Sequence, residues 1–153
     1  MAKKKPQHKA IANRRARYDY QLDGSLVAGL VLSGREVRAL RLGHGQLTGA
    51  YVTPKNGELW LINATISGSH GNPITDTEQT QARKVLLKQR EINALTEARQ
   101  QGRTIIPLEI LTGGRFIKLR IAMGKGRKTY DKRQAIKQRE ADRSARRAIQ
   151  TTR

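Results

Sequence analysis

Residues 104–123 read TIIPLEILTGGRFIKLRIAM. Two runs rich in aliphatic and β-branched residues, 104–111 and 115–123, stand either side of Thr112-Gly113-Gly114. Branched side chains favour a pleated backbone, and paired glycines supply the freedom a tight reversal needs. The segment predicts an antiparallel hairpin. A second hairpin is predicted upstream, where Pro54-Lys55-Asn56-Gly57 separates residues 46–53 from residues 58–66. Asn-Gly is the strongest short signal for a two-residue reversal.

Outward from these hairpins the pattern continues in short pieces. Tyr18, Tyr20 and Leu22 alternate with Asp19 and Gln21, which predicts a strand with both rings on one face. Asp23-Gly24-Ser25 reads as a turn, and residues 26–32 as a buried strand bent at Gly29. Ser33 and Glu36 have the spacing of a capping box, opening a short helix with Val37 and Leu40 on one face and Gly43 and Gly45 at its end. Residues 67–80 read as a long loop, residues 83–87 as a strand or a helix entry, and residues 88–101 as a helix burying Ile92, Leu95 and Ala98 before a stop at Gly102. Tyr51, Trp60 and Phe116 alternate with apolar neighbours and are expected in the core. The fold class expected is mainly β: a small antiparallel barrel, for which the oligonucleotide-binding type is one option, with about six strands and two or three flanking helices.

Charge divides the chain differently. Of 31 Lys+Arg and 12 Asp+Glu, giving +19, residues 1–17 hold seven basic and no acidic residues, and residues 124–153 hold eleven basic and three acidic ones. The long middle carries only +4. The expected organisation is a flexible basic arm over 1–12, a barrel over 13–123 and a basic tail over 124–153, with Gly124 and Gly126 as a hinge. Cationic arms of this density gain free energy by displacing counterions from a polyanion. The tail is built of helix formers, but Ile136, Ala145 and Ile149 make too thin an apolar stripe for a membrane surface or for docking on the barrel. Such a helix is weak alone and is expected to order where phosphates neutralise it.

Several chemistries are absent from the sequence. There is no cysteine, which fits a reducing compartment such as the cytoplasm. Gly124-Lys125-Gly126-Arg127-Lys128-Thr129 lacks the spacing of a nucleotide-binding loop. His8, His44 and His70 are too scattered for a helical metal pair, and Gly68-Ser69-His70-Gly71 reads as a surface turn, not a nucleophile elbow. No enzyme activity, metal or cofactor is expected.

What the sequence does carry is the chemistry of RNA binding, cations for phosphates and flat groups for unstacked bases. Asn13, Arg17, Tyr18 and Tyr20 supply it at the edge of the barrel, and Arg83, Lys84, Lys88 and Arg90 make a second basic cluster around Leu86 and Leu87. In the tail, Tyr130 stands among Lys125, Arg127, Lys128, Lys132 and Arg133 with no apolar neighbour, as a ring meant for a partner's base.

The run AGLVLSGREVRALR over residues 28–41 resembles the SsrA-binding protein (small protein B) family. So do Tyr51-Val52, Gly57-Glu58, Arg83-Lys84 with Leu86-Leu87, Arg90-Glu91-Ile92, Thr104-Ile105-Ile106-Pro107-Leu108, and Gly124-Lys125-Gly126 leading to Asp131-Lys132-Arg133. The resemblance spans roughly residues 11–140. It implies an oligonucleotide-binding-type barrel that grips the tRNA-like half of transfer-messenger RNA and enters the decoding site of a stalled ribosome. The tail would become a helix in the empty mRNA channel. Asn13, Tyr20 and Leu86 fall where the family contacts the RNA, Asp131, Lys132 and Arg133 fall on the tail motif, and Ile149 offers an apolar contact near the end. Val27 stands where the family commonly has an acidic residue, Tyr130 where it commonly has His, and Ala141 where it has a bulky ring. A monomer is expected, with transfer-messenger RNA and the ribosome as partners and no membrane. The rival expectation is a structural ribosomal protein with basic extensions.

Overall fold

The Asn56-Gly57 hairpin forms as its sequence predicts in the computed structural model, which describes residues 10–126 and 129–151. Both residues take positive φ, 54° and 75°, and Lys55 pairs with Glu58 across the reversal. A left-handed pair of this kind matches the natural twist of the strands it joins.

The chain begins with β1 (Ile11–Ala12), α1 (Ala16–Asp19), β2 (Tyr20–Leu30) and α2 (Gly34–Arg41). It continues through β3 (Gly45–Gln46), β4 (Tyr51–Lys55), β5 (Glu58–Ile62), β6 (Thr65–Ile66), α3 (Asp76–Gln79) and β7 (Arg83–Leu86). Then come α4 (Gln89–Gln100), β8 (Thr104–Leu111), β9 (Lys118–Gly126) and α5 (Thr129–Thr151). The main sheet runs β1-β8-β4-β5-β7-β2-β9, and β9 pairs back onto β8. That return closes a ring of antiparallel strands, the barrel the hairpins predict. Closure removes the exposed edges of an open sheet.

Inside the ring, Leu59, Ile105, Leu119 and Ile121 are fully buried, with Leu40 of α2 and Leu95 of α4 sealing the core. The box at Ser33 and Glu36 forms: the Glu36 N–H donates to Ser33 Oγ at 3.3 Å, and the Ser33 N–H donates to Glu36 Oε1 at 3.2 Å. At the other end of α2, His44 N–H donates to Ala39 O and Gly43 N–H to Leu40 O, with Gly43 at φ 83°. This double closure satisfies the orphan carbonyls and needs the left-handed glycine.

Several expectations are corrected. Tyr18 lies in α1, not in a strand, and β2 opens at Tyr20. Asp23-Gly24-Ser25 is not a turn but a bulge within β2, where the register against β9 shifts between Asp23 and Leu26 and Gly24 takes φ 66°. Residues 26–32 are not buried throughout: Val27 and Val31 are about half exposed, because this wall of the barrel has no second layer. Residues 46–53 and 58–66 each break, leaving β3 and β6 as a separate two-stranded pair. Residues 83–87 resolve as strand β7. The barrel extends beyond residues 13–123 at both ends. Ile11 and Ala12 pair with Ile110 and Glu109, while Gly124, Lys125 and Gly126 pair with Leu22, Gln21 and Tyr20. Gly124 is therefore no hinge. A Cβ there would stand 2.7 Å from Ile106 Cδ1 and 3.1 Å from Tyr20 Cβ, so glycine permits close packing. Residues 1–9 of the expected arm lie outside the described residues.

The loop over residues 67–80 is tied down. Ser69 and Asn72 exchange backbone hydrogen bonds at 3.0 Å, and buried Asn72 donates through Nδ2 to Arg35 O at 2.9 Å. A Cβ at Gly68 would meet the backbone N of Ile74 at 2.4 Å. Backbone cannot rotate aside as a side chain can, so Gly68→Ala is expected to cost about 1–3 kcal/mol. A denaturant melt checks this, and an unchanged midpoint would show that the loop yields.

Candidate nucleic-acid interface

The core is aliphatic: among the described residues no aromatic side chain is buried. Phe116, expected inside, is 69 % exposed, and Tyr51 is 37 % exposed. Trp60 is half-buried on the outer wall, opposite Thr53 and Lys84 in register. Tyr51 and Trp60 keep the strand period but face outward, Phe116 lies in the loop before β9 opens at Lys118, and the rings line the surface.

Two parts of that surface join. The first is a groove of about 670 Å³ where α1 and the segment before it lean over β2 and β9. Asn13, Arg14, Arg17, Tyr20 and Arg120 line it. Asn13 holds the groove's edge in place: its backbone N–H donates to Leu108 O at 2.7 Å and its Nδ2 to Pro107 O at 3.0 Å. Arg14 and Arg17 are exposed and Tyr20 is half-buried, which leaves guanidinium groups in water around a partly covered ring. Arg120 pairs with Glu109 at 3.2 Å. Tyr18 belongs to α1 beside the groove, with the Arg15 guanidinium 5.5 Å from its ring centroid.

The second part is a strip across the bare wall of the barrel. Ala28, Val85, Leu119 and Ile121 point into the core, so Val27, Gly29, Leu86, Lys118 and Arg120 point out. Gly29 stands opposite both Leu86 and Lys118, and Val27 stands opposite Arg120. A Cβ at position 29 would lie 3.3 Å from Leu86 Cβ, so the glycine lets Leu86, 49 % exposed, lie across β2. Arg120 belongs to both parts, and the groove and the strip form one continuous face.

The second basic cluster changes character. Lys84 pairs with Glu58 at 2.9 Å, both side chains partly exposed. Lys88 is exposed as the N-cap of α4, where its backbone N–H donates to Glu91 Oε2 at 3.2 Å. Arg83, its sequence neighbour, is 2 % exposed and unavailable to any phosphate. It forms an ion pair with Glu36 and donates to Ala64 O, Glu78 O and Gln79 O at 2.9–3.0 Å. Sequence reasoning missed this pair because the partners are 47 residues apart and lack a shared local pattern. It also missed Arg120 and Lys118, whose outward direction is legible only once the register is known.

Of the tail residues, Lys125 lies exposed on β9, opposite Gln21. Arg127 and Lys128 lie outside the described residues. Tyr130, Asp131, Lys132 and Arg133 fall in the first turns of α5, which approaches α1, and Ile149 is exposed near its end. The segment expected to await a partner before ordering is helical in the structure over its described length. An uninterrupted run of helix formers accounts for that. Its described side chains are exposed, including Ile136 at 38 %, so the apolar stripe is not spent on the barrel. Among the described residues no group of His, Asp or Glu is placed to hold a metal, and no helix is long and apolar enough to cross a membrane.

The family model for SmpB protein matches residues 10–151. The chain is similar to the SsrA-binding protein of Pseudomonas fluorescens, 40 % identical over 97 % of this chain and 94 % of that one. It is also similar to the SsrA-binding protein of Sphingomonas elodea, 45 % identical over 84 % and 81 % of the two chains. A chain from a solved structure of tmRNA-SmpB and the bacterial ribosome superposes with a TM-score of 0.64 at 33 % identity, covering 78 % of this chain and 85 % of that one.

Proposed function

The chain belongs to the SmpB protein family, and we propose on that footing that it is a non-catalytic RNA-binding adaptor. It binds the tRNA-like part of transfer-messenger RNA and delivers it to stalled ribosomes in the cytoplasm for trans-translation. The observation that carries this reading is the continuous face from the Asn13–Arg17–Tyr20 groove to Leu86, which sets guanidinium groups beside a ring and bare aliphatic side chains. Phosphates meet Arg14, Arg17 and Lys88, and an unstacked base meets Tyr20 or Leu86. With Val27 in place of a carboxylate, the side chain at this position offers van der Waals contact and no hydrogen-bond acceptor. Tyr18 stiffens α1 through Arg15, and Lys84, held by Glu58, positions the strand beside Leu86.

The tail supplies the second contact. Helix α5 lies in the empty mRNA channel, Lys125, Arg127, Lys128, Lys132 and Arg133 meet ribosomal phosphates, Tyr130 stacks on a ribosomal base, and Asp131 and Ile149 fix its seating. Phosphate contact stabilises a helix that has little tertiary packing of its own.

Purifying the protein from cells and sequencing the bound RNA tests the reading. One dominant species with a tRNA-like end is expected. Stoichiometric recovery with every ribosome would favour a structural ribosomal protein instead. A sharper check is Leu86→Ala. Because the side chain is half exposed, the melting temperature should stay nearly constant while affinity for transfer-messenger RNA falls about tenfold. Unchanged affinity in a filter-binding titration would remove Leu86 from the interface.

A further inference from the structure

Phe116 is a costly residue to leave in water, and the structure holds it there firmly. It sits between β8 and β9, 69 % exposed, with the Arg115 guanidinium 5.5 Å from its ring centroid. The loop that carries it is braced from α2: Arg41 donates through Nη2 to Gly114 O at 3.2 Å and to Arg115 O at 3.0 Å. Leu42, 59 % exposed, follows Arg41 at the end of that helix. No carboxylate interrupts the sequence from Ile110 to Tyr130 or from Val37 to Gly57, the two segments that build this corner.

We propose that Phe116 is a stacking platform for an unpaired base of transfer-messenger RNA, flanked by Arg115 and Arg41. The inference rests on the adaptor reading above and extends its interface beyond the groove and the strip. Three observations point to RNA. The corner is purely cationic, so it complements phosphate. The ring is planar and mostly open, and every base offers a π-face to such a ring. The corner also continues the proposed interface: Lys118, two residues on, shares its register position with Gly29 and Leu86. That continuity selects transfer-messenger RNA, because an RNA lying across Leu86 and Lys118 meets Phe116 next. The Arg41 brace fixes the loop before binding, so less ordering entropy is lost on contact.

The test uses the full chain, with transfer-messenger RNA transcript and purified small ribosomal subunits as separate probes. Phe116→Ala is expected to weaken binding of the transcript about tenfold, Phe116→Leu to weaken it nearly as much, and Phe116→Tyr to bind within about twofold of the parent. Melting temperatures should be nearly equal across the series, since the ring is outside the core. Equal transcript binding by parent and Phe116→Ala overturns the proposal. So does full binding by Phe116→Leu, which would reduce the ring to a greasy contact, and so does a loss confined to the ribosomal subunits. If Leu86→Ala loses affinity while Phe116→Ala does not, this inference fails alone. If the parent chain does not bind the transcript, the adaptor reading fails with it.

Discussion

Ending the chain after Thr129 is expected to abolish tagging of stalled nascent chains while leaving the grip on transfer-messenger RNA nearly intact. The cut removes eight basic and three acidic residues, but its described side chains are exposed and its helix only approaches α1. The strands of the barrel and the lining of the groove and the strip all come from residues before the cut. Losing diffuse cations should weaken RNA binding by no more than about fivefold at physiological salt. Losing the second of two linked contacts should cost far more, on the order of a hundredfold in tagging rate. A reconstituted assay that follows peptide tagging and RNA affinity in parallel separates the two. If the truncated chain instead loses RNA wholesale, the barrel and the tail do not divide the work.

The second large effect concerns stability. Arg83→Ala is expected to lower the melting temperature by roughly 6–20 °C, the counterpart of about 3–5 kcal/mol. The substitution strands the Glu36 carboxylate, 4 % exposed, and unpairs the carbonyls of Ala64, Glu78 and Gln79. Those groups belong to α2, to the segment before β6 and to α3, so one guanidinium fastens three parts of the chain to β7. The double variant Glu36→Gln with Arg83→Met should recover part of the loss, since it removes the buried charges together. A thermal melt by circular dichroism reads both. A drop of under about 3 °C for Arg83→Ala would mean that the ion pair is close to neutral, as exposed pairs are.

Particular residues show what was legible in the sequence. Asn56-Gly57 and the Ser33–Glu36 box were legible because their chemistry is local: the residues that must meet are one and three apart. The barrel class followed from the hairpins. The face each strand turns outward did not, because alternation gives a period and no sign. Tyr51 fell on the wrong side for that reason, Phe116 left the core because β9 opens only at Lys118 and leaves it in the loop, and Val27 was expected buried in a wall that has no outer layer. Arg83 was grouped with Lys84 as a surface cation, although adjacent strand residues point opposite ways and only one of them reaches water. Asp23-Gly24-Ser25 has the composition of a turn, and only pairing with β9 on both sides turns it into a bulge. The candidate site was legible as a list of residues and not as a surface: Arg120 and Lys118, which join its parts, carry no local signal.

One consequence follows from β9. It begins at Lys118, beside the strip, and ends at Gly126, two residues short of the described helix. Nine paired residues at about 3.3 Å each make a rod of about 30 Å, held by β2 along its length and by β8 on the other side as far as Gly124. Gly124 lies within that rod and is packed too tightly to act as an elbow. The span between the proposed RNA-binding strip and Gly126 is thus set by a count of hydrogen-bonded residues, as on a caliper.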